Sequence, residues 1–143
     1  QPMVLTTVTS AITNVTGGGA TYTIVFDGEI TDQGGNMTTT TFTAPVAGNY
    51  LFNTQIMLLG LTAAMNDCRL VVDTDNRDYG GRLVNIGAIR DSNNQASITT
   101  SVIADMDASD TATVTLRIAG DANTADINGG SGALTWLSVG LLA

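Results

Sequence analysis

The sequence of 143 residues contains no histidine, no lysine and one cysteine. Without histidine the chain cannot build a Ser-His-Asp triad, a Cys-His dyad or a histidine-ligated zinc site. A single cysteine cannot form an internal disulfide bond. Cys68 lies in the run Asp67-Cys68-Arg69-Leu70 and is predicted to be a small buried hydrophobic residue. These absences favour a protein that is not an enzyme and needs no cofactor.

Positive charge is scarce, because five arginines face twelve aspartates and one glutamate, and the net charge is -8. Binding to a phosphate backbone requires clustered cations. Long apolar runs are also missing. The most apolar stretches, Ile56 to Leu59 and Leu137 to Ala143, are far shorter than the roughly 20 residues of a membrane-spanning helix. We therefore expect no nucleic-acid partner and no membrane span.

The residues that are abundant favour β-structure. Threonine is the commonest residue, with 23 copies, and 16 glycines and 11 asparagines supply residues suited to turns. Several runs alternate apolar and polar residues. The alternating positions are Tyr22, Ile24 and Phe26 in one run, Ala112, Val114, Leu116 and Ile118 in a second, and Ile98, Thr100, Val102 and Ala104 in a third. Period-two runs between turn clusters predict an all-β sandwich or barrel in one domain.

One segment, Leu58 to Met65, does not alternate and is compatible with a helical turn. Gly60 in its middle and Asn66-Asp67 at its end favour the end of a strand followed by a loop.

Two predicted strands are apolar on both faces, namely Asn49 to Leu59 and the last strand, Thr135 to Ala143. A strand of this kind is usually covered on both sides, whereas the outer face of a small sandwich is normally wet. Another copy of the chain is the simplest cover, and loops of the same chain are the alternative. Symmetric self-association is therefore the favoured interpretation.

Four segments resemble a known family. The segment FTAPVAGNYLF, from Phe42 to Phe52, resembles the F-x-x-P-x-x-G-x-Y-x-F strand of the complement C-one-q globular head, a member of the tumour-necrosis-factor-like jelly-roll superfamily. FDGEITDQGGN upstream, Ala108-Ser109-Asp110 before TVTLRI, and the closing TWLSVGLLA follow in the family's order. Val139 and Gly140 depart from the family, which has Gly and then a bulky residue there.

The resemblance implies a ten-strand jelly-roll sandwich of two antiparallel sheets over residues 1–143, assembled as a compact homotrimer. In the family the two doubly apolar strands are central in the sheet that faces the threefold axis. The predicted trimer contact is Leu51, Met57, Leu59, Leu137, Val139 and Leu141. On this assignment Val139→Asp is predicted to give monomers or insoluble chain.

The run DTDNRDYGG, from Asp73 to Gly81, is a candidate ligand site. Asp73, Asp75 and Asp78 resemble the start of a calcium loop, and some members of the family bind calcium. Arg77 occupies the fifth place, however, and Val84 stands where a closing Glu is needed. A solvated acidic turn is the favoured interpretation. Asp105, Asp107 and Asp110 form a second acidic group with the same interpretation.

The small number of aromatic residues argues against a glycosidase and leaves few side chains on which a sugar could stack. Seven are present, and Phe26, Phe42, Tyr50 and Phe52 are assigned to the core by their alternation. Tyr79 beside Arg77 is left as a candidate for a ligand-binding loop, and Trp136 belongs to a central strand. Catalysis on sugars is therefore not expected.

The sequence predicts a non-enzymatic trimeric structural protein of a virion or cell surface, such as a bacteriophage capsid-decorating (cement) protein or a fibre head. Its partners would then be itself and another protein surface, such as a capsid shell. The alternative is an extracellular recognition head that binds a glycan or protein receptor, with or without calcium, through loops at Asp73–Gly81 or Ala119–Gly132.

Overall fold

The computed structural model describes residues 1–80 and 83–142, which form twelve strands and one short helix. Gly81, at the end of the candidate ligand loop, and Ala143 lie outside the described residues. The strands are β1 Met3–Thr7, β2 Ile12–Thr16, β3 Thr21–Thr23, β4 Gly28–Gln33, β5 Phe42–Thr43, β6 Gly48–Leu59, β7 Asp67–Thr74, β8 Asp78–Gly80, β9 Ala96–Met106, β10 Thr111–Ala119, β11 Thr124–Ile127 and β12 Trp136–Leu142, and the helix is α1 Ile86–Ile89.

The strands form two antiparallel sheets packed face to face. The seven-stranded sheet has the order β2-β11-β6-β12-β1-β4, and β9 pairs with the other side of β6. The five-stranded sheet has the order β3-β10-β7-β8, and β5 also pairs with β10. The all-β fold with two antiparallel sheets is confirmed. The expected count of ten strands is wrong, because short strands such as β5 add to the number.

The core lies between the sheets and follows the alternation in the sequence. On β10, Ala112, Val114, Leu116 and Ile118 are all buried. On β6 the buried positions include Tyr50, Phe52, Ile56 and Leu58. The ring of Phe42 packs edge-on against Tyr50 and Phe52, with ring centroids 5.4 and 5.8 Å apart. The aromatic residues of the motif that carried the family resemblance therefore form the centre of the core.

The loop after β6 agrees with the sequence-based expectation. The strand ends at Leu59, and Gly60 takes a positive φ of 69° that L-residues seldom adopt. Leu61 and Met65 then turn into the core. Cys68 is likewise fully buried, and burial, with a smaller effect of Asp67, raises its pKa to about 12. Within the described residues no helix has the length and apolarity needed to cross a membrane.

Cross-strand register decides which face of β12 points inward. Val139 lies opposite Phe52, and Leu137 lies opposite Thr54, a side chain that is also buried. Cross-strand partners share one face of a sheet. Leu137 and Val139 are therefore core residues, each 2% exposed. Assigning them to the trimer contact was wrong, because their side chains are already covered within their own chain.

Candidate functional site

The outward side of β1, β4, β6, β9 and β12 carries several exposed apolar side chains, and we call it the open face. One row of residues crosses it in register from β1 to β9: Met3, Gly140, Leu51 and Ile103. Met3 is 52% exposed and Ile103 is 56% exposed. Exposed apolar groups that are contiguous in this way are typical of an interaction surface.

The open face is also nearly free of charge in a chain of net charge -8. No residue of β1, β6 or β12 is charged, and β9 has one charged residue, Asp105, next to its end. On β4, Glu29 and Asp32 pair with the core-facing residues Thr6 and Val4, so they lie on the opposite face. Charged side chains are depleted in the buried centre of protein interfaces. The distribution of charge therefore marks the same surface as the apolar row.

The face is low around Gly140, towards one end of the central strand β12, whereas Trp136 lies at the other end of that strand. The central strand β12 presents Ser138 and Gly140, and a Cβ built on Gly140 would meet no atom within 4 Å. The result is a hollow of about 320 Å³ whose rim includes Met3, Leu51 and Leu142. The edge strands β4 and β9 contribute Ile30 and Ile103, which are 59% and 56% exposed. A protruding edge of one copy can therefore fill the hollow of another.

Three of the six residues assigned to the contact lie on the open face, namely Leu51, Met57 and Leu59, and each is half-buried. Leu137, Val139 and Leu141 lie on the opposite face, and Leu141 packs against the core. The residues that the sequence analysis missed on the open face are Met3, Ile30, Ile103 and Trp136. Only the pairing of strands distant in sequence brings them together, so no local pattern identified them.

The acidic run Asp73 to Asp78 does not gather around one point. Asp73 faces Asp78 across β7 and β8, whereas Asp75 accepts hydrogen bonds from the Thr111 backbone N and Oγ1 at 2.8 and 3.2 Å. Across residues 1–80 and 83–142, no three acidic or cysteine side chains are grouped so that they could hold a metal ion. The geometry agrees with a solvated acidic turn.

The close carboxylates of Asp73 and Asp78 give an expected pH dependence. The pKa of Asp73 is raised by its hydrogen bond with Asp78, then by burial and by repulsion from Asp78 and Asp75. A raised pKa means that protonation of Asp73 stabilises the fold, and this contribution disappears as the pH rises through that pKa. At pH 7 Asp78→Asn should therefore raise the free energy of unfolding by about 0.5 kcal/mol, and Tm by about 1–2 °C.

Thermal unfolding at several pH values tests this expectation. The gain in Tm should shrink once the pH falls below the pKa of Asp73. Glu29→Gln is the control, because it removes the same charge from an exposed site away from this pair. An equal gain from both variants would show that net charge, and not the pair, limits stability.

Arg77 and Tyr79 do come together, and they meet a third residue, Asp105. The Asp105 carboxylate accepts hydrogen bonds from Arg77 Nη2 at 2.9 Å and from the Tyr79 hydroxyl at 2.7 Å. The Arg77 guanidinium also lies 5.9 Å from the centre of the Tyr79 ring. The hydrogen bond from Tyr79 lowers the pKa of Asp105, while burial and then that same bond raise the pKa of Tyr79.

Comparisons with known proteins identify the fold. Neither protein-family models nor curated protein sequences match the chain. Among solved structures, it is similar to the globular domain of zebrafish complement 1qA, with 10% identity and a TM-score of 0.62 over 100% of this chain and 98% of that one. Murine APRIL at pH 5.0 matches with 14% identity and a TM-score of 0.65 over 99% and 98%. Rabbit GITRL matches with 9% identity and a TM-score of 0.53 over 100% and 95%.

Proposed function

We propose that this chain, which has the jelly-roll fold of the C-one-q and tumour-necrosis-factor-like superfamily, is a non-enzymatic structural protein that forms a homotrimer through its open face. The observation that carries the proposal is the apolar and almost uncharged surface formed by β1, β6, β9 and β12. Burying this surface between copies removes exposed apolar groups from water at little cost in desolvated charge.

The shape of the face favours a ring in which each chain contributes two different surfaces. The hollow at Gly140 and the protruding Ile103 lie on the same row, with Leu51 between them. If Ile103 of one chain fills the hollow of the next, the contact is of the head-to-tail type that closes into a ring when the rotation is right. Three copies would close in this way in the compact trimer that the family resemblance implies.

The proposed location of the trimer is an exterior surface, of a virion or of a cell. Two features of the chain support a structural role there: it has no histidine for acid–base catalysis, and the row Met3, Gly140, Leu51 and Ile103 forms a contiguous apolar surface. None of the three similar structures named above is a capsid protein, so capsid decoration is one form of this proposal and not its core.

Light scattering of the native protein tests the assembly, because a trimer has about three times the 14.7 kDa mass of the chain. A cysteine pair, Ile103→Cys with Gly140→Cys, tests the arrangement. In one chain the two positions are separated by a full strand, roughly 10 Å, which is too far for a disulfide. Oxidation should therefore link different chains.

The matched control is Ile30→Cys with Gly140→Cys, which probes the other edge of the face. The native Cys68 is buried and its pKa is about 12, so it should not compete. Covalent trimers from the first pair alone would support the proposed ring. Links from the control pair alone would move the contact to β4, and a monomeric mass would refute the proposed trimer.

A further inference from the structure

We propose that a polar cleft beside Arg77 binds a neutral ligand rich in hydroxyl groups, namely a sugar residue of a glycan. The cleft lies where three turns meet: residues 47–49 at the start of β6, Asn76 and Arg77 between β7 and β8, and residues 105–107 at the end of β9. Its volume is about 430 Å³, which is within the range of small-ligand sites. The proposal does not rest on the assembly function, but the cleft borders the open face, because Asn49 and Asp105 lie two positions from Leu51 and Ile103 on β6 and β9.

Three polar side chains of the cleft, those of Asp105, Arg77 and Asn76, are held in place by hydrogen bonds. Asp105 is the centre of this order, because its carboxylate fixes both Arg77 and Tyr79 and its backbone oxygen accepts from Asn76 Nδ2 at 2.9 Å. Tyr79 therefore acts as a positioning residue that supports Asp105. Of the groups that would contact the ligand, Arg77 is the one that this order fixes, and fixing it in advance lowers the entropy lost on binding.

The chemistry of the lining selects the class of ligand. A sugar hydroxyl both donates and accepts, so it is satisfied between an N–H donor and a carboxylate acceptor. The cleft offers both kinds: the remaining N–H groups of Arg77 and the amide of Asn49 donate, and the carboxylate of Asp107 accepts. The hollow at Gly140 is lined mainly by apolar side chains and offers no comparable set.

Charge excludes the main competing ligands. Arg77 is paired with Asp105, and Asp107 adds a further negative charge, so the sum of the three is -1. A phosphate, sulfate or sialic acid would meet this carboxylate, and the one cation among the described residues that line the cleft, Arg77, is already paired with Asp105. An apolar ligand would leave the amide and carboxylate groups without hydrogen-bond partners. A neutral glycan meets neither penalty.

A glycan array that carries neutral and sialylated glycans tests the site, with the fluorescently labelled intact protein as the probe. The wild-type chain should be retained by a subset of neutral glycans. Asn49→Ala and Asp107→Asn should each weaken that retention at least tenfold, measured as an apparent Kd by titration on the same glycans. Neither substitution touches the Asp105 hydrogen bonds, so Tm should be unchanged.

The matched control is Asn93→Ala, on the exposed turn before β9, which should bind like the wild type. Retention by no glycan would overturn the proposal, as would equal retention of all the variants. A preference for sialylated glycans would overturn the assignment to neutral ligands. The trimer is measured separately by light scattering, so either proposal can fail while the other stands.

Discussion

Leu51→Asp is expected to leave the chain folded but monomeric, whereas Val139→Asp is expected to prevent folding. The two residues lie on neighbouring strands of the same sheet but on opposite faces. Leu51 is half-buried on the open face, so an aspartate there can remain hydrated in a monomer. Val139 is 2% exposed in the core, where an unpaired carboxylate costs several kcal/mol, a large part of the roughly 5–15 kcal/mol that stabilises a domain.

Circular dichroism and light scattering on the same samples separate the two outcomes. Leu51→Asp should keep the β-sheet spectrum and a cooperative melt, while its mass falls to that of one chain. Thr115→Asp is the control, because it adds the same charge to the outer face of the five-stranded sheet and should leave a trimer intact. A trimeric Leu51→Asp variant would show that the open face is not the contact.

Gly120→Ala is expected to lower the free energy of unfolding by about 3 kcal/mol, through a steric clash and backbone strain together. Gly120 has a φ of +107°, a conformation that L side chains rarely adopt. A Cβ at this position would lie 2.3 Å from the backbone oxygen of Ala64 and 2.6 Å from Asn66 Oδ1. The loops that follow β6 and β10 would have to separate, because the Ala64 oxygen belongs to the backbone and cannot rotate away.

Gly60→Ala is the matched control for Gly120→Ala. Gly60 also has a positive φ, +69°, but a Cβ there would meet no atom within 4 Å. Gly60→Ala should therefore lower the free energy of unfolding by only about 1 kcal/mol, which is the cost of the positive φ for a residue with a Cβ. Urea unfolding measures the loss of unfolding free energy in both variants. Equal losses would show that the two loops can move apart at no energetic cost.

Much of the fold could be predicted from local pattern. The alternation at Ala112, Val114, Leu116 and Ile118 placed all four in the core, and each is buried. The Phe42 to Phe52 segment indicated the superfamily, and structural similarity to the complement 1qA globular domain confirms that fold. Such predictions are reliable because a strand with one buried and one solvent-exposed face alternates apolar and polar residues along the sequence.

The same reasoning could not show which face of β12 points to the core, because the side chains on both faces of this strand are largely apolar. Leu137 and Val139 look as suited to an interface as Leu51 does, and only pairing with Thr54 and Phe52 assigns them to the core. The Arg77–Asp105 ion pair also left no signal in the sequence, because its partners are 28 positions apart. Register between distant strands is a property of the packed chain and leaves no local signal.

The sequence by itself determined the all-β class of this protein, because its alternating runs between turn clusters predict a sandwich or barrel, and the lack of histidine excludes a Ser-His-Asp triad and a histidine-ligated zinc site. The tertiary structure alone decided which surface is left for a partner. Strand register buries one face of β12 and brings Met3, Gly140, Leu51 and Ile103 into one row. The physical reason is that a single-residue shift in register would exchange the faces of a whole strand.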